Sequence, residues 1–134
     1  MDISKCNQLK AFLSQHADLV IPIAQFFDGN DDEASIGCNL IDYPGIPAFR
    51  DTFAAIARRP DVEAVYALIN EIDPGEGCWP FTDVILFVGT ASPKEIERIL
   101  KPLQPDEVKV MDAAEVPATI AARHHAPVLL AWWD

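Results

Sequence analysis

Four acids crowd into the stretch FFDGNDDEASIGCNL: Asp28, Asp31, Asp32 and Glu33. Carboxylates packed this closely hold a divalent cation, dock a basic surface, or stand solvated in a turn. Read as a calcium-binding EF-hand loop, Asp28, Asn30 and Asp32 suit the first, third and fifth positions. Glu33 then stands where a glycine must make the sharp turn, and Asn39 where a bidentate Glu is needed, so the pattern fails. A looser divalent site on Asp28, Asp32 and Glu33 is the metal candidate. The favoured reading is a polar hairpin tip, with Asp28-Gly29 and Asn30 suited to positive φ.

Glu71, Asp73 and Asp83 are the candidate catalytic carboxylates. Glu71 closes one apolar segment and Asp83 opens the next, with Asp73 and Glu76 between them. Glu71 is in phase with Val65, Ala67 and Ile69. That phase predicts partial burial and the raised pKa of a general acid. The plainer alternative is a strand end reaching water beside Arg58 or Arg59. No nucleophile or oxyanion donor accompanies these carboxylates.

Other catalytic templates are absent. There is no G-x-x-x-x-G-K-[ST], G-x-S-x-G or H-E-x-x-H, and Gly75-Glu76-Gly77 is too acidic to cradle pyrophosphate. His124 and His125 point apart in an extended reading and form a surface pair. No cofactor is expected. Cys6, Cys38 and Cys78 are widely spaced, without C-x-x-C, which suits free thiols in a reducing cytoplasm. Cys38 and Cys78 have no base at a meaningful spacing and are expected as small buried apolar groups.

Trp79, beside Pro80 and Phe81, and Trp133 are the aromatic candidates for a binding surface, together with Asp28, Asp31, Asp32 and Glu33. Trp132 and Trp133 must face opposite sides of a strand. One joins the core; the other needs cover from a helix, from the loop bearing Trp79, or from a second chain.

The elements that position these residues follow from apolar spacing. Ile3, Cys6, Leu9, Phe12 and Leu13 predict a helix over 3–15. The stretch 19–27 reads as an edge or bulged strand because of Pro22, and 35–40 as a short strand paired back to it. A helix over 46–59 buries Ile46, Phe49, Phe53 and Ile56, starts at Pro47 and stops at Pro60. Residues 62–72 and 82–89 are apolar on both faces and read as central antiparallel strands. Ser92 and Glu95 form a capping box ahead of a helix to 101. A strand over 107–111, a helical turn near 117–125 and a last strand over 126–134 complete the chain.

The resulting β-α-β-β-α-β order predicts an α+β domain spanning 1–134. Its expected form is ferredoxin-like (split βαβ), with an antiparallel or mixed sheet, helices mainly on one face, an N-terminal helix and a C-terminal strand. A net charge of -11 from 21 acids and 10 bases disfavours nucleic acid and anionic membrane as partners. No apolar run is long enough to span a bilayer, and no leader pattern opens the chain.

Lys and Arg are missing between Lys10 and Arg50 and again between Arg59 and Lys94. This segregation predicts a mixed-charge helical side and an anionic sheet margin. The expected function is a non-catalytic acidic binding module of a bacterial-type cytoplasm, immunity- or inhibitor-like, masking a basic protein partner. A small hydrolase or isomerase using the carboxylates, with or without a divalent ion, is the alternative. Open sheet edges beside a Trp also make a homodimer an expectation.

Overall fold

A computed structural model describes residues 1–134. Helices α1 (Ile3–Ser14), α2 (Ile23–Phe27), α3 (Ile46–Ala57), α4 (Pro93–Leu100) and α5 (Ala118–Arg123) accompany strands β1 (Val20–Pro22), β2 (Val62–Glu71), β3 (Phe81–Gly89), β4 (Glu107–Val110) and β5 (Val128–Trp132). The sheet order is β1-β2-β3-β5-β4, and every neighbouring pair is antiparallel.

The strands apolar on both faces lie inside, as their composition requires. On one face Val65, Ala67, Ile69, Ile85 and Phe87 meet α1, α3 and α4 in the main core. On the other, Tyr66, Leu86, Val88 and Val128 pack around Ile120 of α5. The main core is aromatic at its centre. Trp133 stands edge-on to Phe49 at 5.9 Å and to Phe53 at 6.0 Å between ring centroids, a geometry that adds to simple area burial. The indole N–H of Trp133 donates to the Leu103 carbonyl at 2.8 Å. Trp132 faces the second layer and stays 37% exposed.

An α+β antiparallel sheet is thus observed, but its connectivity differs from a split βαβ. There a third strand separates the first two; here β1 lies directly against β2, with Ile21 opposite Ala67. The cause is local. The apolar stretch 19–27 is strand only to Pro22, and Ile23–Phe27 turns into α2. With α2 and α3 both in the connection, the chain reverses once more and β2 arrives antiparallel. Residues 35–40 form turns, not a strand. Both sheet edges carry features that discourage pairing, Pro22 in β1 and the charged Glu107 and Lys109 in β4.

β2 and β3 are bulged where the candidate carboxylates lie. Leu68 pairs with Val84, Ile69 with Thr82 and Glu71 with Phe81, so Asn70 and Asp83 fall outside the ladder. The buried Thr82 hydroxyl satisfies the break, bonding the Leu68 carbonyl at 2.6 Å and accepting from the Val84 N–H at 3.2 Å. At the opposite end of the ladder, the Asp61 carbonyl accepts from the Thr90 and Ala91 N–H groups. A Cβ on Gly89 would overlap that oxygen, a contact only glycine avoids. Gly89→Ala is therefore expected to destabilise by on the order of 3 kcal/mol, seen as a lowered urea midpoint at unchanged slope.

Candidate functional site

The acidic loop is built by its own side chains. Buried Asn30 accepts from the Asp32 N–H at 2.9 Å and donates to Ser35 Oγ at 3.0 Å. Asp32 spends both oxygens internally, one on the Ala34 N–H at 3.0 Å and the other on the Trp79 N–H at 2.9 Å. The loop is therefore a structured connection to the segment ahead of β3, not a hairpin tip.

Asp28 and Asp31 meet α1 and the chain start just ahead of it. Lys5 Nζ lies 2.6 Å from Asp28, and the Met1 ammonium 2.8 Å from Asp31. Lys10 Nζ, from the same helix, reaches Asp73 at 2.9 Å. These contacts correct the expected charge separation: cations of the helical layer fold back onto the anionic margin. Spacing along the chain could not show this, because the lysines come from the helix that precedes the base-free span. Asp2, Asp32, Glu33, Glu71 and Glu76 have no cationic side chain against them, so the region remains negative.

No three His, Cys, Asp or Glu side chains gather where an ion would sit. Asp28 turns to Lys5 and Asp32 to backbone donors, which leaves Glu33 by itself. The candidate catalytic carboxylates each have different surroundings. Asp73 pairs with Lys10, Asp83 faces Asn70 at 3.5 Å, and Glu71 is exposed. The bulge at Asn70 breaks the alternation that put Glu71 in phase with the buried Val65, Ala67 and Ile69. Trp79 and Trp133, each 1% exposed, belong to the core and offer no accessible ring. The Trp79 indole N–H is buried without a partner.

One arrangement escaped the linear reading. His124 Nε2 is 2.9 Å from the Tyr66 hydroxyl and Nδ1 is 2.9 Å from Glu63. Residues so far apart in the chain give no spacing signal. A carboxylate–imidazole–phenol chain resembles a proton relay, but both ring nitrogens are occupied and Tyr66 is buried. The contact fastens the C-terminal end of α5 to β2. Near its other end the Thr119 N–H donates to Asp18 at 2.6 Å.

The largest concavity is a groove of about 790 Å³ between α2 and α3. Ile23, Ala24, Phe27, Ala54 and Ala57 line it, with Asp28 and Arg50 among its polar residues. Gln25 and Asp28 also line a smaller hollow of about 320 Å³ beside Lys5, Phe12 and Trp79. A short helix packed on a longer one leaves such a depression when the exposed residues are alanines. Ile23, Phe26 and Phe27 recur at helical spacing, the signal that would have revealed α2.

Some of the charged pairs lower the carboxyls that make them. The hydrogen bond from Lys10 holds Asp73 below its ordinary value, and Arg59 does the same for Asp61 through paired contacts at 2.9 Å. Burial, with Glu33 and Asp32 nearby, pushes the Tyr43 phenol up; its hydroxyl donates to the Ile36 carbonyl at 2.9 Å.

Comparison with known proteins gives a family and no activity. Residues 4–129 match the uncharacterized protein YfbO family, and the chain belongs to that family. A relative from Escherichia coli (strain K12), uncharacterized protein YfbO, is 33% identical over 89 residues, which cover 66% of this chain. The match spans 62% of that relative's own length. No solved structure matches the chain. No helix is long and apolar enough to cross a membrane.

The depressed carboxyls set the sign of the acid response. A group whose folded pKa lies below its unfolded value stabilises above the unfolded value, and loses that contribution as pH falls through the folded one. Stability is expected to decline from about pH 4 downward. Lys10→Met, measured by urea denaturation against pH, should lose less over this interval than wild type; equal losses would contradict the assignment for Asp73.

Proposed function

We propose that the protein is a non-catalytic binding module that seats a short basic, amphipathic helix of a partner protein in the α2–α3 groove. Masking such a segment of a basic protein is an immunity- or inhibitor-like role. The observation that carries the reading is the groove itself: alanine-floored, apolar, and ending at an exposed acid, Asp28. Helices bind grooves of this kind through apolar anchors at helical spacing.

Charge selects the basic partner. The net charge of -11 attracts cations at long range; Asp28 is the acid lining the groove, and Arg50, which also lines it, is paired with Asp51. Lys5 does not bar the way, since its pair with Asp28 is solvent-exposed on both sides. Exposed pairs contribute roughly 0–1 kcal/mol, so a partner's cation replaces Lys5 at little cost. The groove favours this reading over a catalytic one, because Asp73 is taken by Lys10 and no three acidic, His or Cys side chains gather in one place.

Amide chemical-shift mapping tests the proposal with an amphipathic Lys/Leu helical peptide and its Glu/Leu counterpart. The Lys/Leu peptide is expected to shift Ala24, Gln25, Asp28, Gly29, Ala54 and Ala57. Ala54→Trp, which fills the groove, should weaken it at least tenfold, about 1.4 kcal/mol. Shifts spread evenly over distant acids such as Glu97 and Glu115, or equal binding of the Glu/Leu peptide, would overturn the reading.

A further inference from the structure

Two of the three thiols lie where α1 meets the turn before β3. Cys6 and Lys10 stand one helical turn apart and grip the turn Gly75–Cys78 at both ends. Cys6 Sγ donates to the Cys78 carbonyl at 3.4 Å, and Lys10 Nζ bonds the Gly75 carbonyl at 3.1 Å. The Cys78 sulfur folds over the same turn, 3.4 Å from where a Cβ on Gly75 would stand. Each sulfur is close enough to act electrostatically on the Lys10 ammonium. The turn has room to adjust: Gly77, at φ +75°, has nothing within 4 Å of a Cβ position. Cys6 is buried, Cys78 is half-buried, and Cys38 is exposed and away from the turn's contacts.

We propose that Cys6 and Cys78 are a thiol–disulfide pair, closed by a low-molecular-weight disulfide of the glutathione class, which ties α1 covalently to the turn. The half-buried Cys78 thiolate attacks one sulfur of the oxidant, and the S–S bond of the oxidant breaks. One reduced thiol leaves and a mixed disulfide remains on Cys78. Cys6 then loses its proton to water and attacks the Cys78 sulfur, expelling the second reduced thiol. The two protein thiols give up two electrons and two protons, and one oxidant molecule becomes two thiols. Burial holds the Cys6 thiol above its ordinary value, and the nearby Lys10 ammonium opposes that rise. Closure requires the glycine-flanked turn to bring the Cys78 sulfur onto Cys6, within the narrow geometry a disulfide demands. The pairing is independent of the groove and of what fills it.

The test uses the full chain in buffers of graded reduced and oxidised glutathione, followed by denaturation, alkylation and mass spectrometry with peptide mapping. The expected product is lighter than the reduced protein by two hydrogens, with the peptides of Cys6 and Cys78 linked and Cys38 outside the linkage. Cys78→Ser should leave Cys6 fully alkylated at every ratio. Lys10→Gln should slow closure several-fold. A stable glutathione adduct on Cys78 with Cys6 still alkylated, or linkage of either residue to Cys38, would overturn the pairing. Unchanged closure in Lys10→Gln would overturn the role given to the ammonium.

Discussion

With 21 acids and 10 bases in one chain, the placement of each cation decides which parts of the fold can sit together. Helix α1 is where this constraint acts most visibly. The Met1 ammonium, Lys5 and Lys10 reach the acidic loop and the turn ahead of β3, two segments far apart in sequence and otherwise joined through Asp32 and the Trp79 N–H. Each exposed pair is weak by itself. Cys6, Leu9 and Leu13 form the stripe of the helix buried in the main core, with Lys5 and Lys10 flanking it, so apolar packing holds α1 in place and its cations arrive already positioned. The ion pairs set which loops lie beneath the helix; the core sets how firmly it stays.

The same arrangement bears on function. A carboxylate engaged by an ammonium or a backbone N–H is a poor metal ligand and a poor general acid, and Asp28, Asp31, Asp32 and Asp73 are so engaged. What remains open to solvent is a shape. A five-residue helix lying on α3, with alanines facing outward, leaves an apolar trough ending at Asp28, whose pair with Lys5 is solvent-exposed. Recognition of a basic amphipathic segment follows from that shape and that charge together.

Much of the fold was legible in the residues. Apolar character on both sides of 62–69 placed β2 in the interior, the Phe49/Phe53 stripe fixed α3, and Ser92 does cap α4 through the Glu95 N–H at 3.2 Å. Only half of the capping box forms, because the Glu95 side chain turns to Arg98 and Arg59 instead. The stretch 19–27 misled because short apolar runs look alike as strand or helix. Pro22 decided it, ending the strand and serving as N-cap of α2 with φ -55° and ψ 143°. That difference hid both the sheet connectivity and the groove. Glu71 misled because strict alternation takes no account of a bulge. The contacts of His124, Cys6 and Lys10 join residues remote in the chain, and no local pattern encodes them.

The central claim is that Asp28 is held by Lys5 weakly enough to be handed to a partner's cation. Calorimetry of Lys5→Met against wild type, with the Lys/Leu helical peptide at fixed low salt, tests it most directly. The account predicts tighter binding by the variant, since Asp28 no longer has to be released and one repelling charge is gone. Equal or weaker binding by Lys5→Met would contradict it.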